Sequence, residues 1–405
     1  MTVCGGIGEG VGVRILVAAD KFKGGLTALE AGEAIQRGLE AVLGNGGVEI
    51  EVLPVADGGE GTVEAVREAC GGERVECEVR DALGGAVSAE YALVGGKDGD
   101  GLIGVLEMSQ ASGLWRLAIG ELDPAVASTF GTGELMRDAI GRGATRLLVG
   151  IGGSATNDGG AGMAEALGYR FFDEGGELMR QLPRAMEEVG RLEAPEGIVL
   201  GGAEVEVACD VTNPLLGPAG ATRVFGGQKG IGEEMMDFFE GRLARLAGVV
   251  ERDLGGAAVR EVPGSGAAGG LGWGLMVFCG ASLRPGFEMV AEAIGLEARI
   301  RGVDLVVTGE GRIDAQSAMG KAPGGVAALA REHGKPVLAV GGAISLEGED
   351  REAVAETFDL TLSIEGVFPE VGLKERIERN GELLEACLVE SPELVKKFAA
   401  GGSRV

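Results

Sequence analysis

Carboxylates recur at one kind of position in this sequence, at or just beyond the end of a short apolar run. Asp20 follows VRILVAA, Asp57 and Glu60 follow VEIEVLPVA, Asp210 follows VEVAC, and Glu310 and Asp314 follow VDLVVT. Asp158 lies further into the loop after TRLLV. A turn or a helix cap accounts for any one of them, because aspartate favours both. Five such loops in one chain point to a cluster that holds a divalent metal or supplies a general base beside a hydroxyl group. Lysine shows the same bias. The chain has 27 arginines against 9 lysines, yet Lys21, Lys23, Lys229 and Lys321 all lie in glycine-flanked loops. A compact, mobile ammonium there suits a phosphate oxygen in transit, the plain alternative being solvated surface lysine. Arg223 and Arg312 lie in similar loops, where a guanidinium could clamp a carboxylate.

Two glycine-rich segments could present backbone N–H groups to an anion: GIGGSATNDGGAGMAEALG (150–168) and PGSGAAGGLGWG (263–274). Seven of the nineteen residues in the first are glycine, where a turn alone needs one or two. Gly150, Gly152 and Ala155 match a short dinucleotide-binding pattern, with Asp173 downstream, which keeps a nicotinamide enzyme in view. No phosphate loop of the GxxxxGK[ST] type occurs, and no GxSxG elbow. The single histidine, His333 in REHGK, reads as a helix C-terminal cap, and the six cysteines form no CxxC pair. Carboxylates, lysines, amides and glycine loops remain. That set suits phosphoryl transfer, in which catalysis is positioning and charge neutralisation.

These residues are spaced by a repeating unit of apolar strand, glycine loop and amphipathic helix, which implies a largely parallel sheet covered by helices. Thr27 and Glu30 have capping-box spacing before TALEAGEAIQRGLEAVL, and Gly44 is a natural stop. Residues 75–106 alternate like antiparallel strands, residues 173–200 read as exposed helix and loop, and the tail reads as helices that pack back on the body. With 405 residues the chain can hold two domains, and 77 glycines without a three-residue period exclude a collagen-like chain. A net charge of −27 argues against nucleic acid and anionic membranes as partners. The absence of a signal-like start or a membrane-length apolar run leads us to expect a soluble, cytoplasmic protein.

The motifs DKFKGGLTALEA, ADGGEGT, FGTGEL, GIGGSATNDGGAGMAEALG, ACDVTNPLLGPAGA, FGGQKG, PGSGAAGGLG and VVTGEGRIDAQSAMGKAPGGVA occur in this order. In them the sequence closely resembles the bacterial-type glycerate kinases, from about Val13 to Val367. The resemblance implies an α/β chain with a flavodoxin-like three-layer domain (13–78 plus 290–400). Inserted in it would be a restriction-endonuclease-like α/β domain (79–289), and residues 1–12 would be a flexible extension. It implies ATP-dependent phosphorylation of glycerate, giving 2-phosphoglycerate and ADP with Mg²⁺. Carried onto these positions, it implies catalytic roles for Asp20, Lys23, Glu310, Asp314 and Lys321, with Glu310 and Asp314 as metal ligands. Substrate or phosphate binding would fall to Asp57, Glu60, Ser154, Thr156, Asn157, Asp158, Asp210, Asn213, Gln228, Lys229 and Arg312. The glycine loop of residues 150–168 would then be a ligand cradle. Three departures stand out. Ala19 and Lys21 replace a proline and a serine, GGQKGI replaces GPQKGA, and residues 176–190 are shorter and more charged than the family's glycine-rich equivalent. A nicotinamide-dependent oxidoreductase of a small hydroxy acid and a non-catalytic ligand-binding relative are the competing readings.

Overall fold

The computed structural model describes residues 12–44, 47–96, 101–197, 199–255, 259–318, 320–345 and 347–400. The extension expected over residues 1–12 lies outside them, Gly12 apart. The chain divides into two compact units, Met1–Asp57 with Val290–Val405, and Gly58–Met289.

The discontinuous unit is built on five parallel strands in the order Leu360–Ser363, Val337–Ile344, Leu305–Ile313, Val13–Ala19, Val48–Val52. Numbered along the chain this is 2-1-3-4-5, the flavodoxin-type order, whose reversal lies between the first and third strands. Ile15, Leu16, Val17, Val306 and Val307 are fully buried, as continuous apolar strands covered on both faces must be. The capping box forms as the spacing predicts. Thr27 accepts from the Glu30 N–H at 3.2 Å, Glu30 accepts from the Thr27 N–H at 2.9 Å, and the helix Ala28–Leu43 stops at Gly44. The tail also packs as expected. Helices Asn380–Val389 and Pro392–Ala399 bury Leu384, Leu388, Val395 and Phe398 in the core of this unit. Each such side chain contributes about 1.5–3 kcal/mol. Gly38 lets the tail approach, since a Cβ there would sit 2.7 Å from Leu388 Cδ1.

The second unit holds a mixed six-stranded sheet in the order Ser282–Arg284, Glu204–Ala208, Ala144–Gly150, Leu102–Glu107, Ala86–Gly95, Glu73–Arg80. The antiparallel run read from residues 75–106 is its far edge. Because Glu73–Arg80 pairs along its whole length with Ala86–Gly95, the division between units falls at 57/58 rather than at 78/79. Residues 173–200 need a correction. Arg170–Asp173, Leu178–Met179 and Val189–Glu193 form a three-stranded antiparallel sheet. Strands this short carry too little alternation to be read from sequence. They are held by burial of Phe171, Met186, Val189 and Leu192. Among the described residues, no helix is long and apolar enough to cross a membrane.

Candidate active site

In the first unit, backbone pairing gathers three of the carboxylates. The Asp20 N–H donates to Gly309 O at 2.8 Å, which fixes the end of the strand Val13–Ala19 beside the stretch that carries Glu310. The Val55 N–H donates to Ala19 O at 3.1 Å, so the segment ending in Asp57 runs along the other side. Asp20 is 6% exposed, and its Oδ1 accepts from the Lys21 N–H at 2.7 Å. Burial pushes its carboxyl up to about 7, with the charges of Asp57 and Glu310 adding to the rise and Lys21 opposing it. Burial likewise raises Glu310, opposed by a hydrogen bond from Ser317 and the nearby Lys321 ammonium. Among the described residues, Glu310 Oε1 is buried without a hydrogen-bond partner. Such an orphaned acceptor is costly unless something else occupies it.

The stretch TGEGRIDAQSAMGKAP is not the long loop its composition suggests. The strand Leu305–Ile313 continues through Glu310 and Arg312, paired with Gly341 and Ala343. Glycines make this possible, since a Cβ on Gly309 would lie 2.2 Å from Val340 O and one on Gly342 2.5 Å from Gly311 O. Asp314 then starts the short helix Ala315–Ala318, its Oδ1 accepting from the N–H groups of Gln316 (3.0 Å) and Ser317 (3.1 Å). That oxygen is occupied as a cap. Lys321 is the N-cap residue of helix Ala322–Glu332, with Pro323 second in the helix, one position later than its usual place. Lys23 is exposed, and its backbone lies against Gly311. Arg312 is exposed and pairs with Asp314 at 3.7 Å. His333 caps the helix Ala322–Glu332 as expected, with Nε2 3.1 Å from Glu297.

Because Lys21 opposes the rise at Asp20, Lys21→Ser is expected to raise that carboxyl further and move the acidic limb of the rate profile to higher pH. Turnover at saturating substrate and high pH is expected to stay within about tenfold of wild type, under ~1.4 kcal/mol of barrier. Steady-state rates from pH 5 to 9 check both. A much larger loss would place the chemistry on Lys21 itself.

In the second unit the glycine loop turns its polar side chains inward, which corrects the ligand-cradle reading of Ser154, Thr156, Asn157 and Asp158. Asp158 is fully buried. Its Oδ2 accepts from the Thr129 N–H (2.9 Å), the Thr129 hydroxyl (2.7 Å) and the Gly162 N–H (3.1 Å), and its Oδ1 accepts from the Gly160 N–H (3.1 Å). Burial raises its carboxyl, and these donors oppose the rise. Asn157 donates to Thr222 Oγ1 at 3.1 Å. Lys229, expected to meet phosphate, is 1% exposed, and its ammonium donates to Thr156 O at 2.6 Å and Ser154 Oγ at 3.4 Å. Burial lowers it to about 7. The loop therefore uses its charged residues to hold its own shape. What it shows to solvent is backbone, at Gly152 and Gly153.

Of the remaining candidates, Asp210 Oδ1 accepts from the Gly286 N–H at 2.8 Å, and Asn213 Nδ2 donates to Ala219 O at 2.8 Å, so both brace loops. Glu60 and Gln228 are exposed. Sequence reasoning missed Glu107, which ends the strand Leu102–Glu107, is 4% exposed and accepts from the Val63 N–H at 3.0 Å. It follows an apolar run as the others do, so the same rule finds it. It also missed Ser317, because its role depends on the helix turn that brings it back toward Glu310.

Among the described residues, no three of His, Cys, Asp and Glu are placed to ligate one ion. At most two carboxylates could do so, the number Mg²⁺ commonly takes from protein when substrate phosphates complete its shell.

Residues 15–390 match the family model of the glycerate kinase family. The chain is 43% identical over 293 residues to the glycerate kinase of Bacillus subtilis, covering 72% of this chain and 75% of that one. It is 44% identical over 261 residues to the glycerate 2-kinase of Escherichia coli, covering 62% and 66%. A crystal structure from Salmonella typhimurium LT2, provisionally described as glycerate kinase 2, superposes with a TM-score of 0.83 at 39% identity, over 96% of this chain and 99% of that one. With its mixed α/β architecture and its carboxylates at the strand ends, the chain belongs to the glycerate kinase family.

Proposed function

We propose that the protein transfers the γ-phosphoryl group of ATP to the 2-hydroxyl of glycerate, giving 2-phosphoglycerate and ADP. The observation that carries this is the proximity of buried Asp20, just past the strand Val13–Ala19, to half-buried Glu310 on the adjacent strand Leu305–Ile313, near the carboxyl ends of the strands, where ligands of open α/β sheets bind. Asp20, raised to about 7, is matched to accepting the hydroxyl proton as the new O–P bond forms and the bond to ADP breaks. The Lys321 ammonium, close enough to act on Glu310, is available to the transferring oxygens. The partnerless Oε1 of Glu310 fits one inner position of Mg²⁺. Bound with the nucleotide, Mg²⁺ would neutralise charge on its phosphates. The name of the E. coli relative supports the 2-position.

Enolase consumes 2-phosphoglycerate directly, so the product of ATP and glycerate is expected to yield phosphoenolpyruvate with enolase alone. A requirement for added phosphoglycerate mutase would move the acceptor to the 3-hydroxyl, and no ADP release would end the proposal. Turnover is also expected to vanish in excess chelator and return with Mg²⁺, as ADP release measures.

A further inference from the structure

Trp115 stands apart from the other tryptophan and the tyrosines. The chain has two tryptophans and two tyrosines. Trp273 and Tyr91 are fully buried, Tyr169 is 6% exposed, and Trp115 is 62% exposed. A ring of that size left in water forgoes a large burial gain, so its exposure asks for a ligand or a partner. Its setting is well defined. The Arg116 guanidinium lies 4.5 Å from the ring centroid and is itself braced by a 2.9 Å hydrogen bond to Ser88 O. Gly113 allows the segment to pack closely, since a Cβ there would meet Ser109 O at 2.4 Å and Trp115 Cδ1 at 2.9 Å.

The neighbour of this ring is the exposed turn of the glycine loop. The Leu114 N–H donates to Gly153 O at 2.8 Å, and the Ala155 N–H donates to Ser112 O at 2.9 Å, which ties the tryptophan segment to residues 153–155. Gly153 takes φ of +72°, which glycine adopts without strain. Among the described residues, the N–H groups of Gly152 and Gly153 donate to no other group. Successive free N–H groups of this kind bind anions. Behind the turn sits the buried side chain of Lys229, whose Nζ donates to Thr156 O and Ser154 Oγ and so holds the loop's shape. A flat π-face beside paired anion donors matches a nucleotide, which carries a base and phosphates in one molecule.

We propose that Trp115 is the platform on which the adenine base of the nucleotide stacks, with the Gly152 and Gly153 N–H groups taking a phosphate oxygen. This rests on the phosphoryl-transfer reading above. It assigns a residue at which this chain selects its phosphoryl donor, and it gives Lys229 a positioning role through the loop.

Fluorescence and kinetics of the full chain test it. Trp273 is buried, so quenching by added nucleotide reports Trp115. ADP is expected to quench wild-type emission, and the quench is expected to disappear in Trp115→Leu. In that variant KM for ATP is expected to rise about tenfold or more, while KM for glycerate moves by less than about twofold, the scale of one lost base–aromatic stack. Inorganic tripolyphosphate, which has no base, is expected to bind both proteins alike. Trp115→Phe keeps a ring and is expected to recover most of the ATP affinity. A Trp115→Leu protein that phosphorylates glycerate with unchanged KM for ATP overturns the platform and leaves phosphoryl transfer standing. The same result with an altered elution volume makes the ring a contact between copies, and overturns it too. Failure of the wild type to phosphorylate glycerate would sink the reading beneath it instead, and the ADP quench would still decide the platform.

Discussion

Asp20→Asn is expected to abolish most turnover while making the folded protein more stable at neutral and alkaline pH. Removal of a positioned general base costs about 10²–10⁴ in rate. Asn keeps the shape and still accepts from the Lys21 N–H, so the loss should appear in turnover of a normally folded protein. The stability effect has the opposite sign. The Asp20 carboxyl rises from 3.8 in the open chain to about 7 in the folded protein, chiefly through burial. Between those values the native state binds the extra proton, so the group's contribution is fully present below about pH 4 and is lost as pH rises through about 7. At pH 8 the wild type must hold a buried, repelled carboxylate. Replacing it removes a cost bounded at on the order of 4 kcal/mol. Thermal unfolding at pH 5 and pH 8, beside the wild-type rate profile, checks both halves. The wild-type rate is expected to rise with pH through about 7, as Asp20 loses its proton. A variant that is both slow and less stable at pH 8 would contradict this account.

Glu310→Gln and Asp314→Asn are expected to part company, although the sequence offers them as equivalent. Glu310 carries a buried Oε1 without a partner and raises Asp20, so it is poised toward a ligand. Its loss should cost about a hundredfold or more in turnover, the scale for removing a preorganised charge. Removing its charge should also lower the Asp20 pKa and move the acidic limb of the rate profile to lower pH, a shift that loss of packing alone would not produce. Asp314 is spent on the first turn of the helix Ala315–Ala318. Asn caps nearly as well, so Asp314→Asn should change stability by less than ~1 kcal/mol and turnover by less than about tenfold. Equal and large losses from both would restore Asp314 to the chemistry. Small losses from both would remove this strand end from it.

The strand-end rule led to Asp20, Asp57 and Glu310 because apolar runs, glycine and an acidic residue are all local features. Charge type at those positions is legible without any coordinates. The glycine loop was misread for the same reason. Its Ser154, Thr156, Asn157 and Asp158 look like ligand groups in sequence. Whether a polar side chain faces in or out depends on partners far along the chain, here Thr129, Thr222 and Lys229. Trp115 drew no attention, since one aromatic in a short polar-apolar segment carries no period.

By itself the sequence determined the alternating α/β plan, the capping box at Thr27, the helical tail and the position of the acids after apolar runs. Each follows from backbone propensity and hydrophobic period over a few neighbouring residues. Only the tertiary structure decided that Glu310 stands on a continued strand with an unpaired oxygen while Asp314 closes a helix. It also decided that Lys229 is a buried pin and that burial carries Asp20 to about 7. Those outcomes turn on desolvation and on contacts between residues tens to hundreds of positions apart, which no local pattern of residue types encodes.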